Sequence, residues 1–154
     1  MRGILVAAAV SLGLVACSGP SSNVVYASHG YSCCIELTGN TTWHPGQQLT
    51  LHWTPQPPAM TTDATPHQIV LKLGLTGPFP TVGALKQAIS QGTTSSNVRT
   101  ISAETLMVND RTYDTPASTL KLPADLAPGY YNLDPESSSG GLTAGGSAVV
   151  LIAP

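Results

Sequence analysis

The sequence predicts an all-β fold, a two-layered sandwich of short strands with one short helical insertion. Three observations predict it. Apolar and polar residues alternate over Gln48–Thr54, which puts Leu49, Leu51 and Trp53 on one face, and over Gln68–Leu75, which does the same for Ile69, Leu71, Leu73 and Leu75. A period of two marks half-buried strands of an antiparallel sheet. Thirteen prolines and fifteen glycines among 154 residues interrupt long helices. The 42% hydrophobic fraction is that of a chain able to bury a core, and the length fits one domain.

The chain opens on Met1-Arg2 and an uncharged apolar run, Ile4–Ala16. That run is too short to span a bilayer as a helix, which takes about 20 residues, and it suits the apolar part of a secretory signal peptide. It ends in Leu14-Val15-Ala16-Cys17, followed by Ser18-Gly19-Pro20-Ser21-Ser22. These residues resemble the lipobox of bacterial lipoproteins: an aliphatic residue, a tolerant position, a small residue, then cysteine. The resemblance implies a signal peptide at 1–16 and cleavage before Cys17, with diacylglycerol on its sulfur and an acyl chain on its amine. It further implies a protein held by lipid at the cell membrane or outer membrane, facing away from the cytoplasm. Two or three acyl chains anchor stably, at about 0.8 kcal/mol per buried methylene.

Residues 17–32 are small and polar and are expected to form the anchor and a flexible tether, with a short edge strand at Val24–Tyr26. Residues 33–154 are expected to form the sandwich. Beyond the two alternating segments, strands are expected over Cys34–Thr38, Val98–Ile101, Thr105–Val108, Thr119–Leu122, Tyr130–Leu133 and Ala148–Ile152. Turn chemistry separates them at Pro45-Gly46, Thr76-Gly77-Pro78, Pro128-Gly129 and Gly140–Gly146. One segment breaks the period. Val82, Leu85 and Ile89 are spaced i, i+3, i+7, with Thr81 placed to cap the start and Gly92 the end, so a short helix is expected within 81–92.

Pro45-Gly46-Gln47-Gln48-Leu49-Thr50-Leu51-His52-Trp53 is similar to the second strand of many bacterial immunoglobulin-like domains. Leu126-Ala127-Pro128-Gly129-Tyr130-Tyr131 resembles the turn and sixth strand of immunoglobulin-like and fibronectin type III-like domains. The resemblance implies that Tyr131 forms a tyrosine corner, its hydroxyl bonded back to nearby backbone, and that Trp53 belongs to the core. These motifs are structural and carry no function. The stretch between Gly77 and Ser118 is longer than the usual middle of this fold, which leaves strand order there open.

Charge excludes one class of partner. Six Lys+Arg against eight Asp+Glu, with no basic cluster, do not make a nucleic-acid surface. Enzyme signatures are also missing: there is no Gly-x-Ser-x-Gly, no His-Glu-x-x-His and no phosphate-cradling glycine loop. The carboxylate pairs Asp110/Asp114 and Asp134/Glu136 are expected in turns, where they satisfy local backbone. Asn40-Thr41-Thr42 matches a glycosylation sequon, which carries little weight in a bacterial lipoprotein.

Cys33 and Cys34 are adjacent. Outside the cytoplasm they can close on each other as a vicinal disulfide, or stand as one buried and one exposed thiol. A second reading is a copper or zinc site, or a thiol-redox site, built from His29, Cys33 and Cys34, with His44, His52 or His67 joining from neighbouring strands. Against it, the four histidines follow no tight ligand spacing, and beyond the leader only Met60 and Met107 remain as methionines. Trp43, between the candidate strands, and Leu142, in the long Glu136–Gly146 loop, are candidate partner contacts. The expected function is therefore a lipid-anchored envelope protein, not an enzyme and without a cofactor. Its role is non-catalytic binding or structure, meeting a protein or cell-wall partner through loops at a sandwich end.

Overall fold

The computed structural model describes residues 24–34, 37, 42–92 and 97–154. The leader, Cys17, the start of the expected tether, most of the strand expected over Cys34–Thr38, and Asn40 of the sequon lie outside the described residues. Two layers face each other. In the first, β2 (Tyr31–Cys33), β4 (Gln48–Pro55) and β9 (Ala117–Lys121) lie in the order β2-β4-β9. In the second, the order is β3 (Thr42–Trp43), β12 (Ala148–Ile152), β10 (Gly129–Ser139), β6 (Gln68–Phe79) and β7 (Arg99–Ser102). On that second layer, β8 (Leu106–Asn109) also pairs with β6, and β11 (Leu142–Gly145) with β10. β1 (Tyr26–Ser28) and β5 (Ala59–Thr61) pair as a separate two-stranded ribbon. The fold is an all-β sandwich with one short helix, and its layers divide the strands as an immunoglobulin-like sandwich does.

Alternation builds the core as expected. Leu49, Leu51 and Trp53 of β4 point inward, as do Ile69, Leu71, Leu73, Leu75 and Phe79 of β6, while His52 faces solvent. Leu120, Tyr131, Leu133, Val150 and Ile152 close the core from the remaining strands. Each such side chain contributes about 1.5–3 kcal/mol of burial. Tyr131 Oη donates to the Ala127 carbonyl at 2.7 Å, which makes the corner the sequence implies. Inside the sandwich, Trp53 Nε1 donates to Ser118 Oγ at 2.9 Å.

The helix, α1, spans Val82–Gln91. Thr81 caps it by accepting from the Ala84 amide at 3.0 Å, and Gly92 ends it in the left-handed conformation. Leu85 is its buried residue, whereas Ile89 stays about half exposed, so the inward face is narrower than the expected stripe.

After α1, the middle of the chain supplies one edge strand with a bulge. Gly74 lies opposite Ser102 and Leu71 opposite Leu106: three steps along β6 correspond to four along its partner. The extra residue falls around Ala103–Thr105 and splits the strand into β7 and β8, a device that ends or bends edge pairing.

Three expectations are corrected. The β body begins at Tyr26 and not at residue 33, because Tyr31 and His29 are buried and Ser28 bonds into the body, so the second half of the expected tether is folded. Glu136–Gly146 is not a long loop. β10 runs to Ser139, turns through Gly140 and Gly141, both at positive φ, and returns as β11, because two such glycines match the right-handed twist of a two-residue hairpin. Asp134 and Glu136 consequently stand on a strand and not in a turn, with Glu136 paired to Lys72 at 3.1 Å.

Candidate functional site

The end of the sandwich where β6 begins and β8 and β10 finish carries the densest group of polar side chains. Asp110, only 3% exposed, follows β8 directly. Its carboxylate accepts from Ser28 Oγ at 2.7 Å, from the His67 amide at 2.8 Å and from His67 Nδ1 at 3.4 Å, and Arg111 Nε stands 3.6 Å away. Burial pushes this carboxyl up, but the bonds from Ser28 and His67, with the Arg111 charge, outweigh it and hold Asp110 below the usual carboxylate range. The backbone adds to the join: the His29 amide donates to the Asp110 carbonyl and the Asp110 amide to the His67 carbonyl, both at 3.0 Å. Asp110 thus ties β1, the segment before β6 and β8 together. Asp114, its expected partner, is exposed and stands apart from these bonds.

His29 is buried beside this group. Its Nε2–H donates to the Thr112 carbonyl, which also accepts from Tyr31 Oη at 2.9 Å, and the Tyr113 ring lies 4.2 Å from its own. That bond places a proton on Nε2, and Nδ1 is buried with no hydrogen-bond partner among the described residues. Ser28, His67 and Asp110 do not form a nucleophile relay. The serine hydroxyl is spent on the carboxylate, where a relay needs it on the imidazole.

Cys33 and Cys34 are joined as a vicinal disulfide at the end of β2. Cys34 is buried at φ +133°, a conformation costly for a side-chain-bearing residue. Cys33 is half-buried and lies opposite Trp53 across the β2–β4 ladder. It lines a cleft of about 130 Å³ with Tyr31, Trp53, Pro135, Ser137 and Gly145. The structure therefore separates the three residues of the metal reading: His29 turns to Thr112 and Tyr113, and the cysteines bond each other. Among the described residues no three His, Cys, Asp or Glu side chains converge as metal ligands. His44 belongs to the opposite end, where its Nδ1 meets the Pro154 carbonyl at 2.8 Å.

The two candidate contact residues sit at opposite ends. Trp43 is half-buried against the core beside Ile152, whereas Leu142 is 81% exposed at the β10–β11 turn. Asp134 is held above the usual carboxylate range by desolvation and by the neighbouring charge of Glu136, which is itself paired to Lys72 at 3.1 Å. Sequence reasoning placed Asp110 in a turn and missed its burial. Ser28 and His67 are 82 and 43 residues away, and nothing local to Asp110 announces them. No helix among the described residues is long and apolar enough to cross a membrane.

No family model matches the chain, and no curated protein matches it. Among solved structures, the sporulation control protein Spo0M of Bacillus subtilis is similar at 9% identity and a TM-score of 0.43, over 82% of this chain and 50% of that one. The chain spans about half the length of that protein, and a likeness of this size carries no statement of function.

Proposed function

We propose that this is a lipid-anchored protein of the bacterial envelope whose β-sandwich has a non-catalytic binding or structural role. Cys17 carries the lipid, and loops at a sandwich end meet a protein or cell-wall partner. One observation carries the non-catalytic part. Asp110, the buried carboxylate at the richest polar cluster, is committed to Ser28 and His67, where it holds three segments of the fold together. A buried carboxylate whose acceptor positions are taken up by a serine hydroxyl, a backbone amide and an imidazole of its own chain acts as a structural tie, which supports the non-catalytic reading. The supporting experiment is chemical crosslinking in intact envelopes, comparing the lipidated wild type with Trp43→Ala and Leu142→Ser. Loss of a specific crosslink in either variant supports contact through that end. A specific adduct that neither variant weakens speaks against it.

A thiol-redox role is the second reading, favoured by the position of Cys33 on a cleft wall beside Tyr31 and Trp53. Thiol titration of the native protein against Cys33→Ser/Cys34→Ser tests it. A disulfide that exchanges with a dithiol without unfolding supports the role, and one that opens only on denaturation rejects it.

A further inference from the structure

We infer that the sandwich end carrying Met60, Tyr113 and Leu142 rests on the lipid bilayer itself. The inference depends on Cys17 being lipidated and names the partner of that end, which leaves the Trp43 end for a protein or polymer. Register and contact define the end. Gln68 pairs with Asn109 where β6 begins and β8 finishes, and Ser139 turns to Leu142 there. Ser28, Pro57 and Ala59 of the ribbon region share a cavity wall with Asp110 and Ser139, so the β1–β5 ribbon covers the same end.

Large apolar side chains gather there in water. Leu142 is 81% exposed and Met60 67%, and Val24, Val25 and Tyr113 are also exposed. On the ribbon, Met60 lies opposite Ala27, and both are exposed, so they stand on one open face. Isolated exposed apolar residues are ordinary, but five on one end of a small domain form a contact surface. The opposite end offers nothing comparable; Ile89 of α1, about half exposed, is the nearest equivalent among the described residues.

Chain geometry says what covers this surface. Val24, the first described residue, belongs to this end through β1, and it follows Cys17 by seven chain steps, with six residues between them. An extended chain covers at most about 3.5 Å per residue, so the acylated cysteine holds this end within about 25 Å of the bilayer. A surface that near the membrane meets lipid at high effective concentration, and weak apolar contacts suffice. Leu142 and Met60 can enter the acyl boundary, while the phenol of Tyr113 suits the headgroup level. The exposed charges here, Asp63 and Asp114, are acidic, so the surface fits a zwitterionic interface and does not call for anionic lipid.

The two methionines beyond the leader provide an internal control. Met60 on the ribbon and Met107 on β8 are equally exposed, at 67% and 66%. Met107 sits two residues back from the β8 terminus, opposite Val70, with its sulfur accepting from the Gln68 side-chain amide at 3.4 Å, so each methionine is compared with its own rate in the soluble protein. Full-length lipidated protein in phosphatidylcholine vesicles, and a soluble protein beginning at Ser18, are treated with dilute hydrogen peroxide. Sulfoxide at each methionine is then followed by mass spectrometry. The expected result is oxidation of Met60 at least about fivefold slower in the vesicle-bound protein, as for a thioether moved into the acyl boundary, with Met107 unchanged. Leu142→Ser/Tyr113→Ser should return Met60 toward its soluble rate while the protein still floats with the vesicles. Oxidation of both methionines at their soluble rates in floating protein, or equal shielding of both, overturns the docking and leaves the anchor standing. Failure to float overturns the anchor, and the docking with it.

Discussion

The Ser28 hydroxyl donates to the Asp110 carboxylate over 2.7 Å, although 82 residues separate them in the chain. That bond is what turns the residues before Cys33 from a spacer into part of the body. It joins β1 to the segment after β8, and the same carboxylate holds the His67 amide at 2.8 Å.

Removing the carboxylate should therefore loosen three segments together. Asp110→Ala leaves Ser28 Oγ and the His67 amide without their acceptor, and hydrogen bonds to a charged group contribute about 1.5–3 kcal/mol each. A loss of about 3 kcal/mol is expected in urea denaturation at pH 7, with a smaller loss for Asp110→Asn, which keeps one acceptor oxygen. Ser28→Ala should cost about 1–2 kcal/mol and add little on top of Asp110→Ala.

The acid behaviour follows from the same group. The folded protein holds the Asp110 carboxyl below its ordinary value, so its contribution is fully present above the unfolded carboxylate range, near pH 4. It is lost as pH falls through the lower folded value. Asp63, held down chiefly by hydrogen bonds from Thr65, acts in the same direction at the surface. Asp134 has the opposite sign: burial and Glu136 raise it, so its protonation relieves the fold as pH falls. Denaturation midpoints of the wild type should drop below about pH 4, and Asp110→Asn should flatten that drop.

Tyr131 and Gly77 form a close pair that two substitutions can probe. Tyr131→Phe removes the bond to the Ala127 carbonyl and should cost about 1–2 kcal/mol with the core otherwise intact. Gly77→Ala should cost more, about 3 kcal/mol or beyond. A Cβ there would lie 2.5 Å from Tyr131 Cδ1 and 2.9 Å from the Tyr130 carbonyl, and that backbone oxygen cannot swing away. Thermal denaturation should rank Gly77→Ala well below Tyr131→Phe.

Trp53 and Ser118 form a fully buried side-chain hydrogen bond inside the core. Ser118→Ala leaves the indole N–H buried without an acceptor and should cost about 1–3 kcal/mol. Trp53→Phe removes that donor but opens a cavity. The double variant should be more stable than the sum of the single losses, because the orphaned donor is gone. Strict additivity in denaturant midpoints would contradict the bond.

What the sequence revealed and what it hid divide along one physical line. β4, β6 and α1 were legible because their signals are local: alternation in the strands, Thr81 and Gly92 around the helix. Tyr131 was legible because its corner closes within four residues. The folding of Tyr26–Cys33 was not, because Ser28, His29 and Tyr31 find their partners at Asp110 and Thr112, more than 80 residues on. In sequence the hairpin at Gly140-Gly141 looks like a loop because its flanks are serines and glycines, whose small polar side chains show no period. Its pairing comes from the backbone and from β6 alongside. His29 and Cys33 looked like one constellation because they are near in sequence, yet His29 ends at Thr112 and Cys33 lies beside Trp53.

Lipid on Cys17 is what would place the sandwich at the membrane, and intact mass reaches it directly. Intact mass of the protein from bacterial membranes, beside Cys17→Ser, should show loss of residues 1–16 and added diacylglycerol and acyl mass in the wild type alone. The variant should lack the lipid and leave the membrane fraction. A wild-type mass that retains the leader, or that lacks any lipid on Cys17, contradicts the account.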